Sequence, residues 1–118
     1  MEKRTVEMAL LLDFYGELLT EKQKEYLDLY YNEDFSLAEI ARPRGITPQG
    51  VRDLTRRGEG ILRDTETKTG LLARFTQISG TAGEIREKLQ RIEARTGDET
   101  LTPLFQEIYR DLETLDLG

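Results

Sequence analysis

Apolar residues recur at intervals of three to four positions along most of the chain, which is the spacing of amphipathic α-helices. A first helix is predicted at roughly residues 5–19, and a second begins after Thr20, which we expect to form a capping box with Gln23. The apolar stripe of the first helix comprises Met8, Leu11, Leu12, Tyr15 and Leu19, and that of the second comprises Tyr26, Leu27, Tyr30 and Tyr31.

Two further helices are predicted in the middle of the chain. Ser36 and Glu39 have the spacing of a second capping box, and Pro43 is expected to end this third helix early and irregularly. Thr47 is the predicted N-cap of a fourth helix, with Pro48 at its first position, where a missing N–H has no effect. The apolar positions are Leu37, Ile40 and Ala41 in the third helix and Val51, Leu54, Gly58, Ile61 and Leu62 in the fourth.

The C-terminal part predicts three more helical segments. The fifth either continues the fourth or follows a kink in a glycine-containing stretch, and residues 79–83 are predicted to be a hinge before the sixth. After a loop at residues 96–100, a seventh helix is expected to start with Thr102 as N-cap and Pro103. Its wide apolar stripe either closes the bundle or is buried against a second copy, and we favour the second, hence a homodimer. The three stripes comprise Leu71, Leu72, Phe75 and Ile78; Ile85, Leu89 and Ile92; and Leu104, Phe105, Ile108, Leu112 and Leu115.

These elements predict an all-α helical bundle. Residues 1–64 are expected to form a helix-turn-helix core, and residues 65–118 a C-terminal helical extension of the same single domain. A length of 118 residues, with 37% hydrophobic and 34% charged residues, suits one small domain with solvated helical faces.

The composition excludes several kinds of chemistry. The chain has no cysteine and no histidine, so disulfides, thiol nucleophiles and the usual zinc ligands are absent. Its carboxylates fall at capping or exposed positions, which disfavours catalysis. We therefore expect a protein that is not an enzyme and that needs no metal or cofactor.

No apolar run approaches the length of a membrane span and no signal-peptide pattern is present, so a cytoplasmic location is expected.

Positive charge is concentrated in the middle of an acidic chain. The net charge is −6, yet residues 40–63 carry six arginines against Asp53 and Glu59, a local net charge of +4. Because the local field steers partners more than the total charge does, this window is the candidate interaction surface.

Residues 37–56 have the features of a helix-turn-helix. Ala41 is a small residue where two helices would cross, Gly45 tolerates the positive φ of a tight turn, and Ile46 is expected to be buried after it. Val51 and Leu54 supply the inward side of the second helix. One departure is Arg44, which stands where this motif usually has an apolar residue.

The second helix of such a unit enters the major groove of DNA with its N-terminal residues at the base edges. Arginine binds guanine and glutamine binds adenine through paired hydrogen bonds, while further arginines contact phosphates. The predicted base-edge residues are Gln49, Arg52, Asp53 and Arg56, the predicted phosphate contacts are Arg42, Arg44 and Arg57, and Thr47 caps the helix. The alternative is that these arginines form a solvated face that pairs with the acidic flanks. If the face does bind a partner, RNA or an acidic protein would also suit it.

Residues 19–62 read LTEKQKEYLDLYYNEDFSLAEIARPRGITPQGVRDLTRRGEGIL, and this segment resembles region 4 of sigma factors, which reads the promoter −35 element. Through the pieces LLDFYGELLTEKQ, YYNEDFSLAEIA and GITPQGVRD, residues 5–76 resemble more closely the YlxM-like family of small bacterial helix-turn-helix proteins. Genes of that family typically neighbour those of the signal recognition particle. The resemblance therefore implies a role in that targeting pathway, through the particle's GTPase or its RNA.

Three hypotheses follow. The protein is a non-enzymatic accessory or regulatory protein of the signal recognition particle pathway, a DNA-binding transcriptional regulator, or a protein-interaction module in which the motif is only a scaffold.

Overall fold

The computed structural model describes residues 3–115, and the side chains of residues 5–115. Within this range the chain forms six α-helices and short 3₁₀ turns, without a β-strand. It divides into two compact units, Met1–Gly70 and Leu71–Gly118. The predicted all-α fold is confirmed, whereas the grouping of both parts into one domain, divided near residue 64, stays a prediction.

The first unit contains helices α1 (Lys3–Tyr15), α2 (Glu21–Tyr31), α3 (Leu37–Ala41) and α4 (Pro48–Thr69). Five apolar side chains from all four helices have no exposed surface and form the centre of the core. Burying each of them contributes about 1.5–3 kcal/mol relative to leaving it in water. These residues are Met8, Leu27, Ile40, Val51 and Leu62.

Hydroxyl side chains cap the N-termini of α2 and α3, as the sequence predicted. Thr20 Oγ1 accepts the backbone N–H of Gln23 at 3.2 Å, and Gln23 Oε1 accepts the N–H of Thr20 at 3.0 Å. Ser36 and Glu39 repeat this arrangement at 3.1 and 3.0 Å. Each box satisfies two backbone donors that a helix start leaves unpaired, and the capping hydroxyl is worth about 1 kcal/mol.

The end of α1 differs from the prediction, because the α-helix stops at Tyr15 and a 3₁₀ turn covers Gly16–Leu18. Leu19 is extended, which lets Thr20 enter its capping conformation. The Tyr15 hydroxyl lies 2.6 Å from Glu66 Oε1, to which it donates, and 2.6 Å from Thr69 Oγ1. The end of α1 is therefore attached to the last turns of α4.

Helix α4 runs without a break through Gly58 and Gly60, and it ends where Gly70 adopts φ +63°. A Cβ atom at position 58 would lie 2.8 Å from Leu27 Cδ1, so glycine there permits the close approach of α2 and α4. The fifth predicted helix therefore follows a break at Gly70 and does not continue the fourth.

The second unit contains α5 (Leu71–Arg95) and α6 (Thr102–Glu113). The predicted hinge at residues 79–83 is wrong, because α5 is continuous and includes the predicted fifth and sixth helices. Gly80 and Gly83 each cost about 1 kcal/mol in a helix, and packing in this unit, with Ala82 buried, offsets that cost. The predicted cap is also wrong: Thr102 is the first residue of α6, and Asp98 instead caps a 3₁₀ turn at Glu99–Leu101.

Candidate nucleic-acid interface

A tight turn connects α3 and α4. A 3₁₀ turn at Arg42–Arg44 follows the five-residue α3, as the position of Pro43 predicted, and Gly45 then takes φ +67°. The N–H of Ile46 donates to the carbonyl of Ala41 at 3.4 Å and closes the turn. A residue with a Cβ would be strained by about 1–2 kcal/mol at Gly45. This geometry makes residues 37–69 a helix-turn-helix.

A small apolar cluster fixes the crossing of the two helices. Ile40 and Ala41 of α3 pack with Val51 of α4 and with the ring of Tyr26 from α2. All four side chains are buried, and Leu54, the other predicted inward residue of α4 in the motif, is partly buried against them.

Two residues predicted to face inward lie outside this core: Ile46, expected to be buried after the turn, and Ile61, from the apolar stripe of the fourth helix. Ile46 is 40% exposed, since Gly45 turns the chain away before α4 begins and the space between the helices is filled by the cluster. Ile61 is 38% exposed. The buried face of α4 follows positions 51, 55, 58 and 62, which places Ile61 at its edge and puts Thr55, a residue the sequence analysis missed, inside. Thr55 satisfies its hydroxyl by donating to the carbonyl of Arg52 at 2.9 Å.

The outward face of α4 carries the predicted base-edge residues. Gln49, Arg52, Asp53 and Arg56 are all exposed and share one side of the helix, because they are three or four residues apart. Gln49 Nε2 donates to Asp53 Oδ1 at 3.0 Å, so one of its two amide hydrogens is already bound in the free protein. The Thr47 side chain caps the helix as predicted by accepting the N–H of Gly50 at 3.0 Å.

The arginines on and before this face form no close ion pairs with the acidic flanks in the described part of the chain. Across the described residues, the ion pairs within 4.0 Å involve Lys24, Arg44 and Lys68, and none involves Arg42, Arg52, Arg56 or Arg57. These four side chains are exposed. These exposed arginines therefore form a cationic surface that is accessible to a partner.

Arg44 is placed differently from the other arginines. Its guanidinium donates to Glu25 Oε1 at 2.6 Å and to the carbonyl of Ile40 at 2.9 Å, and it lies 5.5 Å from the centre of the Tyr26 ring. These contacts hold the turn against α2 and explain how arginine occupies a position that is usually apolar. The phosphate contact predicted for Arg44 would require it to leave these partners, and it stays a prediction.

The tyrosines are used mainly for packing. Tyr15 and Tyr26 are buried, whereas Tyr30 is 38% exposed. Fewer residues of α2 are therefore buried in the core than its apolar stripe predicted. Tyr31 donates to Glu59 Oε1 at 2.5 Å, and burial together with this carboxylate raises the pKa of the Tyr31 hydroxyl. This bond joins Glu59, in the middle of α4, to α2.

Among the described residues, no group of acidic side chains has the arrangement of a metal site. Over the same range, the structure contains no helix with the length and apolar character that a bilayer crossing requires.

The fold and this surface define a helix-turn-helix protein with an arginine-bearing second helix. Residues 1–101 match the family UPF0122, described as "Putative helix-turn-helix protein, YlxM / p13 like". A UPF0122 protein of Thermoanaerobacter sp. strain X514 is 40% identical over 93% of this chain and 94% of its own length. One from Acetivibrio thermocellus is 48% identical over 76% and 77%, and one from Clostridium acetobutylicum is 32% identical over 99% and 100%. The chain belongs to the UPF0122 family, which confirms the predicted YlxM-like resemblance.

Proposed function

We propose that this protein is a non-enzymatic regulator that binds duplex DNA through the N-terminal half of α4. The observation that carries the proposal is the set of exposed arginines on and before α4, none of which has an ion-pair partner in residues 5–115. The chain as a whole is acidic, with a net charge of −6. This cationic surface is therefore a local concentration of positive charge that the overall composition does not explain.

The shape of the surface favours DNA over double-stranded RNA. The major groove of B-DNA admits an α-helix, whereas that of A-form RNA is too deep and narrow for side chains to read. In the proposed complex Gln49, Arg52 and Arg56 meet base edges, and Asp53 accepts from a cytosine amine. Arg42 and Arg57 contact phosphates, and Thr47 fixes the start of the helix.

Arginine contacts to phosphates release counterions, so the proposed binding should be strongly salt-dependent, and repulsion from the acidic remainder of the chain should keep it weak away from the preferred sequence. Fluorescence anisotropy with duplexes selected from a random library tests this. The logarithm of the affinity should fall with the logarithm of salt concentration by about 0.9 per phosphate contacted.

Variants separate the two kinds of contact. Arg52→Ala and Arg56→Ala should each weaken binding to the selected sequence by about 1–3 kcal/mol and relax its specificity. Arg57→Ala should weaken binding to all sequences and reduce the salt slope by about 0.9. Arg91→Ala, an exposed helical arginine of α5, is the matched control and should have no effect. A flat salt response, or equal behaviour of the control, would refute DNA binding through α4.

The finer parts of the proposal come from the family resemblance and from the wide stripe of the last helix. We propose that the protein works in the bacterial cytoplasm, as a homodimer, in or on the signal recognition particle pathway. Co-purification with the particle's GTPase or RNA tests the pathway assignment. If the particle's RNA or GTPase is retained while duplex DNA is not bound, the interface serves that partner instead.

A further inference from the structure

The second unit carries a regular apolar seam. On α5, apolar residues follow one another at alternating spacings of four and three, which is the spacing of a coiled-coil seam. The same alternation continues on α6. The seam residues are Leu71, Phe75, Ile78, Ala82, Ile85, Leu89 and Ile92 on α5 and Leu101, Phe105, Ile108, Leu112 and Leu115 on the C-terminal side.

The hairpin of α5 and α6 covers only one edge of this seam. Ala82, Phe105 and Leu112 are buried, but Ile85 is 41% exposed and Ile92 is 55% exposed. Leu104 on α6 and Leu115, two residues beyond its end, are also exposed, at 53% and 46%. Two helices leave part of a seam uncovered, whereas four helices packed around it cover all of it.

The covered edge is identified by its polar contacts. Ser79 Oγ donates to the carbonyl of Leu115 at 3.3 Å, and the Tyr109 hydroxyl donates to Glu93 Oε1 at 2.9 Å. The Arg86 guanidinium lies 5.9 Å from the centre of the Tyr109 ring. The other edge, on the side of Arg74, Thr81 and Lys88, is therefore the uncovered one.

An open groove of about 280 Å³ lies on the uncovered edge. Ile78, Thr81, Ala82 and Ile85 line it, and Leu115 lies beside them. Four residues at this spacing form the hole that receives one side chain of a facing helix in knobs-into-holes packing. The small side chain of Ala82 gives this hole its depth.

The two helices carry opposite charges along their uncovered edges. Lys88 lies between Ile85 and Ile92 on α5, whereas Glu107 and Asp111 lie three and seven residues after Leu104 on α6. All three charged side chains are exposed, and neither Lys88 nor Asp111 has an ion-pair partner in the described part of the chain. The uncovered edge of α5 is therefore complementary to the uncovered edge of α6.

We propose that the uncovered edge of the seam, with Ile85 and Ile92 on α5 and Leu104 and Leu115 on the C-terminal side, binds the same edge of a second copy. The two α5–α6 hairpins form an antiparallel four-helix bundle with its two-fold axis parallel to the helices, and α5 of each chain packs against α6 of the other. This surface would hold together the homodimer proposed above, and it does not depend on nucleic-acid binding.

The register of the hairpin determines which charges meet. Tyr109 contacts both Arg86 and Glu93, so it lies level with the residues between them on α5. A rotation about an axis parallel to the helices keeps every residue at its height. Asp111 lies two residues from Tyr109, about 3 Å along the helix, so it comes within one turn of Lys88 in the other chain.

Sedimentation equilibrium on the full-length protein tests the seam. We expect a dimer at micromolar concentration, and Ile85→Asp and Ile92→Asp should convert it to a monomer because each places a charge inside the bundle. Glu87→Lys, on the opposite face of α5, is the matched control and should remain dimeric. A monomeric wild-type protein, or a dimer that survives Ile92→Asp, would overturn the proposal.

A charge exchange tests the register with variants that should keep the fold, because both side chains are exposed in the isolated chain. Lys88→Glu and Asp111→Lys should each raise the dissociation constant of the dimer roughly threefold to tenfold. The double variant should return to near the wild-type value. If the two effects simply add in the double variant, the pairing of α5 with α6 of the other chain is wrong. Arg52→Ala should remain dimeric, so failure of DNA binding and failure of dimerisation are read separately.

Discussion

Two glycines of α4 that are two residues apart should respond to alanine in opposite directions. Gly60 is exposed, and a Cβ atom there would have no neighbour within 4 Å. Replacing it removes only the poor helix propensity of glycine, so Gly60→Ala should stabilise the first unit by about 1 kcal/mol.

Gly58→Ala brings the same gain in helix propensity, but the added Cβ atom would clash with a neighbouring side chain. Its Cβ would lie 2.8 Å from Leu27 Cδ1 and 3.5 Å from Gln23 Cβ. Leu27 has no exposed surface, so its methyl group cannot swing into solvent and the helices must separate. Overpacking of this kind costs about 1–3 kcal/mol. Subtracting the propensity gain leaves Gly58→Ala destabilised by up to about 2 kcal/mol.

Thermal and urea unfolding followed by circular dichroism measure the difference. For a unit of this size, each kcal/mol corresponds to about 4–8 °C in Tm. We expect Gly60→Ala to melt above the wild type and Gly58→Ala below it. If both variants are stabilised equally, the close approach of α2 and α4 at Gly58 does not constrain the core, and the reasoning is refuted.

Two other contacts give further predictions. Arg44→Ala should destabilise the first unit by about 1–2 kcal/mol, because it removes charge-assisted hydrogen bonds to Glu25 and to the turn; an Arg42→Ala control should be neutral in the same urea titration. The pKa of Tyr31 is raised in the folded state, so the folded protein keeps this proton at pH values where the unfolded chain has lost it. Stability from this group is therefore complete below about pH 10 and falls as the pH rises further. Tyr31→Phe should reduce the alkaline loss of Tm, and an unchanged slope between pH 9 and about pH 11 would contradict the assignment.

The parts of the fold that the sequence predicted well depend on neighbours close in the chain. Thr20 and Ser36 begin helices because a hydroxyl and a side-chain acceptor three residues later satisfy each other's donors. Gly45 turns the chain because only glycine enters the left-handed region without strain. These interactions span five residues or fewer, so one sequence is enough to recognise them.

The parts that it missed depend on contacts between distant residues. The glycines at 80 and 83 predicted a hinge, and tertiary packing outweighs their local cost. The position of Arg44 is decided by Glu25, nineteen residues earlier, and by the Tyr26 ring. No local pattern indicates that this arginine faces the protein while Arg42 faces solvent, so the predicted set of phosphate contacts included both.

The hydrogen bond between Gln49 and Asp53 has a consequence for any base that approaches α4. With one of its two amide hydrogens given to the carboxylate, Gln49 presents its carbonyl oxygen and its second N–H next to the remaining lone pairs of Asp53. This patch is preorganised to receive exocyclic amines, and the directions in which the second N–H of Gln49 can reach a purine acceptor are restricted while the intramolecular bond holds. The discrimination between bases at this position would then be set partly by the strength of a bond within the protein.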